Sequence, residues 1–133
     1  MLQKHPENKT YSECMVEGLE RPFIDQDINA RISSTLGPKY QICLRGFLDD
    51  TEMRLKQIEK IIAENGDRKM IFLHAHSINS SSAFMGALNL SDRASDLELK
   101  AGKAGVNLEA IYGLYQAMQH SFDKTRQVFL DEG

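Results

Sequence analysis

Apolar residues recur at steps of three and four along most of this chain, which is the spacing of one face of an α-helix. The clearest such stretch runs from Pro38 to near Asn65-Gly66. Its apolar positions are Tyr40, Leu44, Phe47, Leu48, Leu55, Ile58 and Ile62. Charged residues fill the other face of this stretch, so we predict a long amphipathic helix here.

Four more stretches carry the helical pattern. A short one at residues 28–36 can be capped by Asp25 or Asp27 and stops at the Gly37-Pro38 break. The others begin near Asp67, near Ser91 or Asp92, and at Leu108. Because the connections span only a few residues, neighbouring long helices must run antiparallel. The predicted fold is all-α, an antiparallel up-down-up-down four-helix bundle with a short additional N-terminal helix.

The first 26 residues differ from the rest, since they are polar and weakly patterned. We divide the chain into an N-terminal extension, residues 1–26, and the bundle, residues 27–133. The extension has room for one short helix, with apolar positions at Tyr11, Met15, Val16 and Leu19. A chain of 133 residues that is 41% hydrophobic can bury one core without disulfides or structural metal.

The charge balance excludes some functions. A net charge of -3 and a pI near 5.8 leave no basic surface for a phosphate backbone, so we do not expect nucleic-acid binding. No apolar run approaches the roughly 20 residues of a membrane span, and the start lacks the apolar region of a signal peptide. We therefore expect a cytoplasmic monomer that binds no membrane.

Metal and cofactor sites are not expected either. Cys14 and Cys43 are far apart in the chain, so we interpret both as free thiols, with Cys43 a small buried residue. His74 and His76 lie two positions apart, about 200° around a helix, and cannot hold one metal together. The chain also has no glycine-rich phosphate loop, which argues against ATP binding and self-phosphorylation.

The same two histidines point in different directions on the predicted third helix. Its buried side is defined by Ile71, Ala75, Ile78, Ser82 and Met85. His76 lies roughly 140° from that side and should face solvent, whereas His74 lies about 60° away and should sit at a boundary between helices. A single exposed histidine is most often an ordinary solvated side chain, so its surroundings must carry any functional interpretation.

The surroundings of His76 combine apolar area with small and polar groups. Its neighbours on that side are Lys69, Phe72, Leu73, Asn79, Ser80 and Ala83. The apolar members favour a docking surface, and small Ser80 leaves room for a close approach. Asn79 and Ser80 can donate hydrogen bonds to a phosphoryl group on the imidazole, and Lys69 can add a positive charge.

Charges on the predicted fourth helix receive simpler interpretations. Lys100 could rim a docking site for a partner with an acidic pocket. We interpret Asp92, Asp96 and Glu98 as solvated helix charges.

The run from Ala75 to Ser81, followed by Gly86-Ala87, resembles the histidine-containing phosphotransfer (Hpt) family. The signature of that family is Ala-His-x-Leu-Lys-Gly-Ser/Ala, with a Gly-Ala near the end of the same helix. The resemblance covers about residues 25–131. Its further matches are Leu36-Gly37, Phe47-Leu48, Leu97-Glu98 and Lys100-Ala101-Gly102.

This resemblance implies that His76 is a phosphoacceptor, that Ile78 faces inward and that the helix ends at Gly86. The implied partners are response-regulator receiver domains, a hybrid sensor kinase or both, and the implied Mg²⁺ lies in the receiver rather than in this chain. Two positions depart from the signature, since Asn79 replaces the usual Lys and Ser80 the usual Gly. Loss of the cation removes a charge-assisted contact to the phosphoryl group.

Three hypotheses follow. In the first, the protein is a phosphorelay intermediate without kinase activity that passes a phosphoryl group between receivers through His76. In the second, prompted by Asn79, it is an adaptor that docks a receiver or kinase without phosphotransfer. In the third, it is a structural bundle with no partner at this surface.

Overall fold

The computed structural model describes residues 20–132, and this part of the chain contains five α-helices and no strand. The helices are α1 (Gln26–Leu36), α2 (Tyr40–Ala63), α3 (Arg68–Met85), α4 (Leu88–Ala101) and α5 (Leu108–Glu132). A short 3-10 turn, Gly37–Lys39, joins α1 to α2. The all-helical prediction is confirmed, and the helix considered for residues 11–19 lies outside the described residues.

Helices α2 to α5 form the four-helix bundle. Helix α2 packs against α3 and α5, and α4 packs against the same two helices. The apolar stripes predicted from the spacing meet in the centre, where the largest fully buried side chains include Leu55, Ile78, Leu97, Met118 and Phe122. Burial of these side chains supplies the main stabilising term of the fold.

Side-chain caps mark the starts of α1 and α3. An Asp25 side-chain oxygen accepts a hydrogen bond from the backbone N–H of Ile28 at 2.9 Å, and Asp67 accepts one from Lys69 at 2.9 Å. Helix α3 ends at Gly86, which adopts the left-handed conformation with φ of 81°. The site-bearing helix therefore has the start and end that its sequence specifies.

Helix α4 begins at Leu88, three or four residues before the start predicted at Ser91 or Asp92. Its first turn is buried on all sides, including the polar side chain of Asn89, which accepts a hydrogen bond from the Ser121 hydroxyl at 2.7 Å. A helical turn that is buried on all sides shows no alternation of apolar and polar positions. The sequence pattern therefore predicts a start of α4 that is too late in the chain.

Helix α1 covers one end of the bundle beside the turn between α3 and α4. The backbone N–H of Asp25 donates to the Gly86 carbonyl at 2.7 Å, and the Asn29 side chain donates to the Met85 carbonyl at 3.2 Å. Ile24, just before α1, lies in the hydrophobic core. The segment that leads into α1 is thus packed on the bundle.

Three expectations about individual residues are wrong. Cys43 is exposed, because it lies about 100° around α2 from the buried Leu44. Asp92 and Asp96 are not simple solvated charges: Asp92 pairs with Arg21 at 2.7 Å, and Asp96 with Arg93 at 3.0 Å. Burial raises the pKa of Asp96 above its usual range.

No helix in the described part of the chain is both long enough and apolar enough to cross a membrane.

Replacement of Gly86 by Ala should lower the free energy of unfolding by about 1–3 kcal/mol. An added Cβ would lie 3.2 Å from the Asp25 carbonyl oxygen and from a methyl of Ile28, in a backbone conformation that side chains disfavour. Urea unfolding followed by circular dichroism measures the change. The matched control is Gly46→Ala in α2, where a Cβ meets nothing within 4 Å, and it should raise stability by about 0.5–1 kcal/mol. Equal effects of the two substitutions would contradict this account of the turn.

Candidate functional site

The His76 side chain projects from the middle of α3 and is 59% exposed, the direction that its spacing predicts. The opposite side of α3 is anchored in the core by Ile71, Ala75 and Ile78, each nearly or fully buried. Burial of this stripe fixes the rotation of α3 about its axis. The imidazole on the opposite side is therefore held toward solvent.

Glu98 of α4 contacts the imidazole directly. Its Oε2 lies 2.7 Å from Nδ1 of His76, and the Glu98 side chain is only 19% exposed. An ionised carboxylate can only accept hydrogen bonds, so Nδ1 carries the proton and Nε2 keeps its lone pair when the ring is neutral. The interpretation of Glu98 as a solvated charge is therefore wrong.

Asn79 joins the same group of side chains. Its Nδ2 donates to Oε1 of Glu98 at 3.3 Å, and its Oδ1 accepts a hydrogen bond from the Ser91 hydroxyl at 2.6 Å. The two oxygens of Glu98 are thus used by two different donors, one from His76 and one from Asn79. We call Ser91, Asn79, Glu98 and His76 the polar chain.

Phe72 flanks the imidazole on the side toward the start of α3. The two rings are nearly parallel, at 8°, with their centroids 6.2 Å apart. The Phe72 ring is partly buried against Gly102, where a Cβ would lie 3.4 Å from a ring carbon. The end of α4 therefore leaves room for an aromatic ring beside His76.

Large apolar side chains are exposed along the outer face of α3. We define this outer face by Met70, Leu73, Ser77, Ser80 and Phe84. The spacing of these residues alternates between three and four, as in a helix that meets a partner. Leu73 and Ser80 were predicted from the sequence, whereas Met70 and Phe84, which are 42% and 55% exposed, were not. Steps of three and four residues counted from Leu73, instead of from His76, predict that Met70 and Phe84 lie on the same face.

The remaining predicted docking residues are divided between two places. Lys69 and Ala83 are exposed on the His76 side of α3. Lys100 is exposed on α4 but lies about 200° around that helix from Glu98, beside Asp96. The structure does not bring Lys100 into the polar chain.

In the described part of the chain, no three His, Cys, Asp or Glu side chains are arranged to hold a metal ion.

Comparison with known proteins identifies the family. The family model of the Hpt domain matches residues 43–128, which span α2 to α5 and include every member of the polar chain. The chain belongs to the Hpt domain family.

A solved structure agrees with this assignment. Histidine-containing phosphotransfer protein B (HptB) from Pseudomonas aeruginosa PAO1 superimposes on this Hpt domain with a TM-score of 0.76 at 27% sequence identity. The match covers 84% of this chain and 94% of that one. Comparison with curated proteins gave no match.

His74 occupies a separate environment in this Hpt domain, at the boundary between α3 and α2. An Arg54 guanidinium N–H contacts Nδ1 of His74 at 3.1 Å. Burial lowers the pKa of His74, and the positive charge of Arg54 lowers it further. Since Arg54 can only donate, Nδ1 of His74 must be the unprotonated acceptor, which requires a neutral ring.

The neutrality of His74 makes stability depend on pH. An unfolded His74 binds its proton near pH 6.5, whereas the folded one binds it only at lower pH, so protons favour the unfolded state in that interval. We expect the free energy of unfolding to fall as the pH drops from about 7 toward 5. His74→Gln, which keeps an acceptor and cannot titrate, should remove part of that fall. Urea titrations across this range measure it, and identical slopes for the two proteins would contradict the assignment.

Proposed function

We propose that this Hpt domain carries a phosphoryl group on Nε2 of His76 and passes it between response-regulator receiver domains. The observation that supports the proposal most strongly is the contact between Glu98 and Nδ1 of His76 at 2.7 Å. It leaves the other ring nitrogen unprotonated and exposed, which is the state that a nucleophile requires.

The transfer step uses only the imidazole on this side. The Nε2 lone pair forms a bond to phosphorus, the bond from phosphorus to the aspartyl oxygen of the receiver breaks, and its electron pair returns to the aspartate. The Nδ1 proton stays in place, so the phosphorylated ring carries a positive charge that the Glu98 carboxylate offsets. Transfer onward to a second receiver is the reverse of this step. The Mg²⁺ belongs to the receiver's acidic pocket, where it neutralises the phosphoryl oxygens.

The outer face of α3 is the proposed docking surface for the receiver. It presents Leu73 and Phe84 to a partner, while Ser77 and Ser80 between them keep the centre low enough for close contact. This arrangement lets a receiver cover His76 and exclude water from the reacting atoms. The donor is the receiver of a response regulator or of a hybrid sensor kinase, and no kinase step is assigned to this chain.

A second candidate function is that of an adaptor that docks a receiver or kinase without phosphotransfer. Asn79 favours it, since this residue replaces the usual cation and has its amide turned to Glu98. The two functions differ in whether His76 becomes labelled.

Replacement of His76 by Gln should abolish uptake of label from a phosphorylated receiver, because the amide offers no nucleophilic nitrogen. Radiolabelled phosphoryl transfer, followed on denaturing gels, measures the uptake. On the wild type the label should be acid-labile and base-stable, as expected for a phosphoramidate bond to nitrogen. His74→Gln is the matched control and should keep full uptake. Label on the His76→Gln protein would refute the assignment, and an unlabelled wild type that still binds receivers would favour the adaptor.

Large or charged substitutions on the outer face of α3 should block docking. We expect Ser80→Arg and Leu73→Asp each to slow transfer from a receiver about tenfold or more. Labelling by phosphoramidate, a small donor that needs no docking, should change much less than transfer from a receiver. Met53→Asp serves as control, because it places the same charge at an exposed apolar residue of α2, outside the outer face of α3. Unchanged transfer in both outer-face variants would support the view that this face has no partner.

A further inference from the structure

We infer that Ser91 and Asn79 are positioning residues that orient the Glu98 carboxylate toward Nδ1 of His76. This inference rests on the proposed function, and it assigns to Asn79 a role through Glu98 rather than through direct contact with the phosphoryl group.

The Ser91 hydroxyl holds one end of the Asn79 amide. The Ser91 side chain is in the buried first half of α4, with 5% of the residue exposed, and its hydroxyl donates to Oδ1 of Asn79 at 2.6 Å. A buried hydroxyl without a partner is costly, so this bond is strongly preferred. The bond anchors the oxygen end of the amide on α4, and the amide nitrogen faces Glu98.

The opposite orientation is disfavoured on electrostatic grounds. A rotation of the amide by 180° would turn its carbonyl oxygen toward Oε1 of Glu98, and two acceptors would then face each other. The carboxylate therefore selects the orientation in which Asn79 presents a donor to it, and the Ser91 hydroxyl anchors the other end of the amide in that orientation.

Two contacts restrict the orientation of the Glu98 carboxylate. A glutamate side chain has three rotatable bonds, and one hydrogen bond alone leaves much of that freedom. Here Oε1 accepts from Asn79 and Oε2 faces His76. The two contacts hold the plane of the carboxylate in one orientation, which in turn fixes the proton of the imidazole on Nδ1.

The inference also accounts for the departure from the family signature. A Lys at position 79 would bring a positive charge, and Asn brings none. Asn79 instead uses both ends of its amide, one for Ser91 and one for Glu98. We infer that Asn79 contributes by orienting the Glu98 carboxylate and not by placing a charge next to the phosphoryl group.

The experiment measures the tautomer of His76 and the rate of transfer in the same set of variants. In protein labelled with ¹⁵N at histidine, two-bond proton-nitrogen correlations report which ring nitrogen carries the proton. We expect the Nδ1–H tautomer to dominate in the wild type. It should give way to a mixture in Ser91→Ala, Asn79→Ala and Glu98→Ala. The Ser95→Ala variant, which truncates an exposed serine of the same helix, should match the wild type. Asn79→Asp keeps the shape and the acceptor for Ser91 but repels Glu98, and should also give a mixture.

The transfer rates test whether Asn79 acts through Glu98. We expect a fall of about three- to tenfold in Ser91→Ala and in Asn79→Ala, and of about tenfold or more in Glu98→Ala. The double variant Asn79→Ala/Glu98→Ala should be no slower than Glu98→Ala alone, because Asn79 has nothing left to orient. Multiplicative losses in the double variant, or an unchanged tautomer in Ser91→Ala and Asn79→Ala, would overturn the inference.

Failure of the inference and failure of the proposed function are distinguishable. A wild type that takes no label contradicts the proposed function, whereas the tautomer measurement needs no phosphoryl group and still decides the role of Ser91 and Asn79. Thermal unfolding of each variant shows whether a change of tautomer accompanies loss of the fold.

Discussion

The packing of α3 against α4 brings together side chains that lie between 12 and 22 positions apart in the chain. Only Gly86 and Ala87 separate the two helices. The backbone N–H of Ala87 donates to the Ser82 carbonyl at 2.8 Å, and Gly86 takes the left-handed conformation that lets the chain reverse so abruptly. A connection this short leaves α4 little freedom to slide along α3. The turn therefore determines that Glu98 lies beside His76 along the two helix axes.

The interaction between Glu98 and His76 differs in kind from the contacts that stabilise the bundle. Core residues such as Ile78 and Leu97 contribute through burial, and their exact partners matter less than the volume they fill. The polar chain depends instead on which atom donates and which accepts. Ser91, Asn79 and Glu98 are largely shielded from water, which makes each hydrogen bond among them stronger and each misplaced one more costly. The bundle therefore acts as a rigid support for a small, directional arrangement.

Much of the fold was predictable from the sequence, because helical spacing and capping are local. Asp67 and Gly86 mark the ends of α3 in sequence and in structure, and the rotation of α3 follows from its apolar stripe. The early start of α4 was not predictable in this way, because residues buried on all sides carry no period. The exposure of Cys43 was also predictable. The rotation of 100° per residue that gives the direction of His76 on α3 places Cys43 outside the apolar stripe of α2.

The candidate site was predictable only in part. The direction of His76 follows from α3 alone, but its partner comes from another helix, and spacing within one helix says nothing about the level at which a second helix lies. Glu98 therefore looked like any solvated carboxylate. Asn79 was expected to face a phosphoryl group, and its contacts with Ser91 and Glu98 became visible only once the two helices were aligned.

The replacement of the signature lysine by Asn79 also bears on how a partner arrives. Long-range attraction speeds association when a surface carries an excess of charge opposite to that of its partner. This chain has a net charge of -3, and positions 79 and 80 beside His76 are uncharged. A receiver of the proposed kind would meet a weaker attracting field than a lysine at position 79 would provide, so its rate of encounter would respond less to dissolved salt. In the proposed complex, the lifetime set by apolar contact on the outer face of α3 would then govern how often a collision leads to transfer.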